Sequence, residues 1–254
     1  MNTQDFTWLK KGILNELEIT EYHLTSPKLH EEATAILLSD LHGTRYGKEF
    51  IQTICSYHPD FILLPGDIYD EWCDIQKTTN LLRKLKDIPM FYSTGNHEER
   101  MDEYFEVLED LRNLGVHVLQ KKVLSFSVRS NLFEIGGISS RLTEKSYEAK
   151  EINALYQTEG YRILLSHRPH WKNLYNAMEV DLIVSGHAHG GQWRMPGGHK
   201  GLIAPQQGFF PTYTEGLLKL KHAQLLIGRG LVKEYHGIPR LFNPPELVVI
   251  HFHP

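Results

Sequence analysis

The residues best able to do chemistry stand just past short apolar runs: Asp40, Asp67, Asn96, His167, His187 and His189. The runs themselves, ATAILLS (33–39), FILLPG (61–66), MFYSTG (90–95), YRILLS (161–166) and DLIVSG (181–186), read as buried strands. Asp40, Asp67 and Asn96 are 27 and 29 residues apart, each close to one βαβ unit of roughly 30 residues. Successive parallel strands would then deliver one oxygen donor apiece to the same sheet edge, where α/β folds bind their ligands. Asp40 and His42 are two apart, as are His187 and His189, so an extended backbone points both members of each pair the same way. Gly66 and Gly95 precede Asp67 and Asn96 and let the chain turn tightly there. Two carboxylates, one amide and four imidazoles form a borderline nitrogen and oxygen set. Such a set suits Mn, Fe, Zn, Co or Ni better than Ca, which prefers oxygen alone.

The elements that must position these groups follow from periodicity. EFIQTICSY (49–57) and IQKTTNLLRKLK (75–86) carry helical spacing between the first strands, and 101–113 reads as a third helix. VLSFSV (123–128) and LFEIGGI (132–138) read as a hairpin around Arg129-Ser130-Asn131, followed by helices near 145–156 and 171–178. Beyond 200 the chain is rich in Gly, Pro and aromatics, with short strands at 217–220, 224–228 and 246–252. βαβ units first and strands later predict an α/β sandwich, read as one domain over 1–254 with a strand-rich part at 190–254.

Bulk properties exclude several classes. With 23% charged and 41% apolar residues in 254, the chain is globular rather than disordered. A net charge of −4 argues against general nucleic-acid binding, which needs a basic surface. Two cysteines, Cys55 and Cys73, without CxxC spacing fit a reducing compartment. No run approaches the ~20 apolar residues of a membrane span, so a cytoplasmic protein is expected. Phe6, Leu9, Ile13, Leu14 and Leu17 share one helical face, the pattern of a terminal helix packed on its own domain or resting on a membrane surface.

Five segments in order, Asp40-Leu41-His42, Gly66-Asp67-Ile68-Tyr69-Asp70, Gly95-Asn96-His97-Glu98, the lone His167 after a strand, and Gly186-His187-Ala188-His189, resemble the calcineurin-like metallophosphoesterase superfamily. The resemblance implies a four-layer α/β/β/α sandwich of two mixed sheets flanked by helices. It implies two divalent transition-metal ions, Mn first among them, one held by Asp40, His42, Asp67 and His189 and the other by Asp67, Asn96, His167 and His187. A bridging Asp67 would hold the metals ~3.5–4 Å apart, to activate a hydroxide for in-line attack on phosphorus. His97 would protonate the leaving oxygen or stabilise the phosphoryl charge, with Asp70 as its carboxylate partner. The tail, with Gln192, Ala204-Pro205-Gln206-Gln207-Gly208, Arg229-Gly230-Leu231 and Pro244-Pro245-Glu246, is similar to the YkuE/YaeI-like branch of predicted phosphohydrolases. Members of that branch are commonly tethered by an N-terminal membrane segment, of which no sign is expected here, and Ala188 stands where Thr is usual.

The implied function is hydrolysis of a phosphodiester or pyrophosphate bond in a small, perhaps nucleotide- or lipid-linked, molecule. A phosphomonoesterase, a protein phosphatase and a catalytically silent binding scaffold are the alternatives. The stretch 190–216, with Trp193, Phe209, Phe210 and Tyr213, could wall a substrate or pack inward. Arg141, Arg229 and Arg240 are phosphate-clamp candidates by residue type alone. Glu98 and Glu99 are expected to open a helix, where acidic side chains suit the dipole. His170, His23, His251, His253 and the other histidines outside the motifs are expected to be ordinary surface or packing residues.

Overall fold

A computed structural model describes residues 16–254 apart from 142, 196, 197, 199 and 236; the amphipathic stretch at 6–17 falls almost wholly outside the described residues. One sheet contains β1 (Glu18–Thr25), β2 (Ala33–Leu37), β3 (Phe61–Leu64), β4 (Met90–Tyr92), β5 (His117–Val118) and β16 (Glu246–His253). Their order is β1-β16-β2-β3-β4-β5. The second sheet contains β6 (Lys122–Val128), β7 (Asn131–Ile138), β8 (Tyr161–Ser166), β9 (Leu182–Ser185), β12 (Gly216–Lys219) and β13 (Gln224–Ile227). There the order is β12-β13-β9-β8-β7-β6, and two short ribbons stand apart, β10 (Ile203–Ala204) with β11 (Gly208–Phe209) and β14 (Glu234–Tyr235) with β15 (Ile238–Pro239). The strands β2 to β5 run parallel, as do β7, β8, β9 and β13. Antiparallel β6, β12 and β16 make both sheets mixed.

Strands buried on both faces read as unbroken apolar runs, and alternate residues of these runs enter different layers. Leu37, Leu63, Leu165 and Val184 point between the sheets, where they pack with Phe61, Phe91, Phe133 and Phe252. Ile36, Ile62, Leu64 and Tyr92 point the other way. They meet Phe50 and Ile54 of α1 (Lys48–Ser56), Leu81 and Leu82 of α2 (Ile75–Arg83) and Val107 and Leu111 of α3 (Tyr104–Asn113). Leu164 and Ile183 face Ile152 of α4 (Ala149–Asn153) and Leu174 and Tyr175 of α5 (Lys172–Tyr175). The result is the expected α/β/β/α sandwich.

The hairpin at 129–131 closes as β6–β7 with Val128 opposite Asn131. The helix expected over 145–156 is instead a single 3-10 turn, Glu144–Ser146, followed by the short α4. β1 had no counterpart among the expected strands. It pairs in parallel with β16, more than 220 residues later in the chain.

Candidate metal centre

The parallel strands of both sheets stop at one place, and the loops leaving them are tied to each other by backbone hydrogen bonds. Asp40 N donates to Gly66 O (3.2 Å) and His42 N to Asp67 O (3.1 Å), joining the loops after β2 and β3; Gly186 N donates to His167 O (3.2 Å), joining those after β8 and β9. The Asp40 carboxylate joins the two pairs, with His187 N donating to its Oδ1 at 2.8 Å. The Asp67 carboxylate ties in the loop after β4, with His97 N donating to its Oδ1 at 2.9 Å.

Five of the seven expected ligands hold a left-handed backbone: Asp40 (φ 48°), His42 (45°), Asp67 (51°), His187 (68°) and His189 (48°). An L-residue gives up roughly 1–2 kcal/mol to stand there, and such strain gathers where a site requires a particular side-chain direction. The neighbouring glycines are fixed by close approach. A Cβ on Gly95 would lie 2.1 Å from Asp67 Oδ1, and one on Gly186 would lie 2.1 Å from Asp40 Oδ2.

The donor atoms converge. Asp40, His42 and His189 form one buried group, Asp67, His167 and His187 a second, and Asp67 reaches His42 as well, so that it stands between them. His167 Nε2 is 2.8 Å from Asp67 Oδ2 and His42 Nε2 is 3.9 Å from the same oxygen. His189 Nε2 is 3.6 Å from Asp40 Oδ1, and His187 Nδ1 is 3.1 Å from His167 Nε2. Asp40 Oδ2 and Asn96 Oδ1 are buried with no hydrogen-bond partner. Buried acceptors of that kind normally find a donor, so a cation fits the space they face.

Electrostatics follow the same geometry. Burial pushes Asp40 up, against the pull of His167 and His42. Asp67 is pushed up by burial but held well below the usual carboxylate range by the His167 charge and hydrogen bond. His167, pushed down by burial, is carried up to about 9 by Asp67. Burial holds His187 and His189 well below the ordinary histidine value, in the neutral form a metal ligand needs.

The carboxylate on His97 is Glu71 and not Asp70. Glu71 Oε2 lies 2.7 Å from His97 Nδ1, while Asp70 Oδ2 lies 3.4 Å from His42 Nδ1 and Asp70 Oδ1 accepts from Trp72 N. The turn after Asp67 sends residues 70 and 71 in different directions, and only the next residue reaches the imidazole. Arg100 closes the cluster, 3.0 Å from His97 Nδ1 and 2.9 Å from Glu71 Oε1.

Glu98 opens a 3-10 turn as expected, but its side chain serves the site rather than a helix dipole. It is fully buried. Its Oε1 accepts from Ile68 N (2.6 Å) and Tyr69 N (3.1 Å), and its Oε2 from Asp67 N and Gly95 N (both 3.0 Å). One carboxylate thus fixes the backbone of both loops that carry Asp67 and Asn96. Burial and the Asp67 charge push Glu98 up to about 7, against these amides.

Two of the three candidate clamp arginines are structural. Arg240 is buried and donates to four backbone carbonyls, including His189 O; Arg229 pairs with Glu18, Glu215 and Glu246. Arg141 is exposed. Arg168 stands on the His167–His187 side of the centre. It holds Ser140 Oγ at 2.8 Å and Gln206 Oε1 at 3.0 Å, and Gln206 in turn contacts His187 Nε2. His189, Gln206, Ile203, Pro205 and Ile238 line a cleft of about 360 Å³. Phe209 and Phe210 are 77% and 78% exposed and Trp193 partly so, whereas Tyr213 packs into the core beyond the second sheet.

A family model described as calcineurin-like phosphoesterase matches residues 33–191. An uncharacterized metallophosphoesterase of Campylobacter jejuni is 27% identical over 245 residues, which are 92% of this chain and 63% of that protein. Phosphodiesterase YaeI of Escherichia coli is 28% identical over 173 residues, 63% of this chain and 62% of that protein. The chain therefore spans less than two thirds of the length of these curated relatives. The crystal structure of TT1561 of Thermus thermophilus superposes with a TM-score of 0.56 at 14% identity, over 79% of this chain and 91% of that one, and shares the fold. Among the described residues, no helix is long and apolar enough to cross a membrane.

Proposed function

Because the chain belongs to the calcineurin-like phosphoesterase family, we propose that it is a metal-dependent phosphohydrolase that cleaves a phosphodiester or pyrophosphate bond in a small molecule. The observation that carries this reading is the place of Asp67, buried between two groups of imidazole and carboxylate donors and in reach of both. Asp40, His42, Asp67 and His189 would hold one divalent cation, and Asp67, Asn96, His167 and His187 a second, with Mn the first choice for an N/O set. Such a pair would supply Lewis acidity at phosphorus and would acidify a water toward neutrality.

The chain's own groups do the rest. His97 stands at the edge of the donor set, its ring 4.7 Å from that of His42, and holds a proton for the leaving oxygen. Burial holds His97 below the ordinary histidine value, while Asp67 and the Glu71 carboxylate on Nδ1, which also fixes the ring, pull the other way. Asp70 orients His42 through Nδ1, as partners of metal-binding imidazoles do. His97→Ala is expected to keep metal binding and to slow esters with poor leaving groups by ~10²–10⁴-fold, with p-nitrophenyl esters less affected. The two acids should then separate. Glu71→Gln should act on kcat for poor leaving groups, and Asp70→Asn on metal affinity, by about 10–100-fold. Metal titration beside leaving-group kinetics checks both; the reverse assignment of the two acids would overturn it.

The cleft beside His189 supports a substituent with an apolar or aromatic part. Ile203, Pro205 and Ile238 wall it; Phe209 and Trp193 lie outside its lining but are exposed and next in the chain to Gly208 and Gln192, which line it, and their rings could stack on a group that overhangs the cleft. A Phe209→Ser, Trp193→Ala double variant should raise KM about tenfold, the worth of ~1.4 kcal/mol of lost contact, with metal content unchanged. The substrate class is tested by kcat/KM on a diester, a nucleotide-linked pyrophosphate, a monoester and a phosphopeptide under one Mn²⁺ condition. A monoester or phosphopeptide preferred by about 100-fold, ~2.7 kcal/mol of transition-state discrimination, would overturn the diester reading. Absence of hydrolysis from fully loaded protein would favour a binding scaffold.

A further inference from the structure

A second convergence of metal-type ligands lies on the β1–β16 ladder. His23 stands opposite His251, and His253 follows two residues along β16, opposite Thr25. Tyr22 and Leu24 of β1 and Val248, Ile250 and Phe252 of β16 face the other sheet. Alternation therefore puts Glu21, His23, His251 and His253 together on the opposite face, the face where Tyr57 at the end of α1 reaches Glu21. This is the far end of the strands from the catalytic centre. His251 pairs with Thr34 at the start of β2, six residues before Asp40, or ~20 Å at about 3.3 Å per residue.

The contacts are those of a ligand set. His251 Nε2 lies 2.8 Å from Glu21 Oε2, His23 Nδ1 lies 3.0 Å from His253 Nε2, and His253 Nδ1 lies 3.3 Å from Glu32 Oε1. One ligand atom each of Glu21, His23 and His251 falls within 4.8 Å of the others. Bonds of ~2.0–2.1 Å to a tetrahedral ion set its ligands about 3.3 Å apart, so these atoms need to close by no more than about 1.5 Å to meet one ion. The His23 ring stacks on both His251 and His253, with centroids 4.8 Å and 5.2 Å away. The side chains of His251 and His253 are only 21% and 29% exposed, so much of their ordering is done before any ion arrives.

We propose that His23, His251 and His253, with Glu21, bind a divalent transition-metal cation of the Zn²⁺, Ni²⁺ or Cu²⁺ type, separate from the Asp40–His189 centre, and that this ion clips the edge strand β1 to β16. An imidazole-rich set selects those ions over Mg²⁺ and Ca²⁺. The test uses the full chain and Zn²⁺ as the probe, with the count of bound Zn²⁺ and the imidazole NMR signals as readouts, neither of which depends on hydrolysis. Wild type should take up one more equivalent than a His23→Ala, His251→Ala variant, and the signals of His23, His251 and His253 should shift together. His253→Gln alone should weaken that equivalent about tenfold or more, and His222→Ala should leave it intact. Zn²⁺ should also raise the melting temperature of wild type above that of the double variant, with both matched in the absence of Zn²⁺. Equal uptake by wild type and the double variant, or Zn²⁺-induced shifts that bypass these three rings, would overturn the proposal.

Discussion

Asp67→Asn should leave a folded protein that holds neither of the two expected transition-metal equivalents, with kcat/KM reduced by about 10³-fold or more. Asp67 stands between His42 and His167 and is shared by both donor groups, so neutralising it weakens two sites at once. Loss of even ~4 kcal/mol of charge stabilisation at phosphorus corresponds to roughly 10³-fold. Asparagine tolerates the left-handed backbone that position 67 requires, at φ 51°, which keeps the change local. Asp40→Asn, on the side of His42 and His189 only, should lower the affinity of one equivalent and spare the other. Elemental analysis of loaded protein, with kcat/KM on a diester, decides the matter. Two full equivalents retained by Asp67→Asn would remove the shared carboxylate from the scheme.

Glu98→Ala should cost about 3–5 kcal/mol of stability, the range for removing one partner from a buried charged network. Four backbone N–H groups lose their acceptor together, and each buried donor left unpaired is worth ~1–3 kcal/mol. For a chain of this size the melting temperature should fall by about 10 °C. Glu98→Gln should be intermediate, because its amide NH₂ would face two N–H donors. Both variants should also bind metal more weakly, since the amides of Asp67 and Gly95 are among those Glu98 holds. Denaturant unfolding with metal titration checks the pair of effects, and a Glu98→Ala protein with unchanged stability would show that water takes over the carboxylate's contacts.

The parts of the fold legible in the sequence were those where local pattern and burial coincide. The runs at 33–39, 61–66, 90–95 and 161–166 are apolar on both faces because β2, β3, β4 and β8 are covered on both faces. β1 carries little signal of its own because EITEYHLT alternates exposed and partly buried residues and its partner lies more than 220 residues away in the chain. The candidate ligands stand out for the same reason as the strands, since each follows a strand end, although the pairs 40/42 and 187/189 are left-handed and not extended. Asp70 and Glu71 could not be sorted from one another, since a single residue's difference around a turn decides which carboxylate meets His97. Glu98 was visible as an acidic residue at a turn, yet its task depends on amides from a loop 30 residues away, and backbone donors leave no mark on composition. Arg168 had a signal in its place beside His167, while Arg229 and Arg240 were drawn by charge and proved to be tied to Glu18, Glu215, Glu246 and backbone carbonyls.

The position of β16 sets an order on synthesis. It lies between β1 and β2, so the first sheet cannot close until residues near 253 have left the ribosome, although every expected metal ligand has been made by residue 189. At about 5–20 residues per second that gap lasts roughly 3–13 s. During it β2, wholly apolar at Ile36 and Leu37, has an open side, the kind of unpaired edge that recruits other chains. A nascent chain is therefore open to misassembly between the synthesis of residue 189 and that of β16, and chaperone contact should be heaviest over that interval.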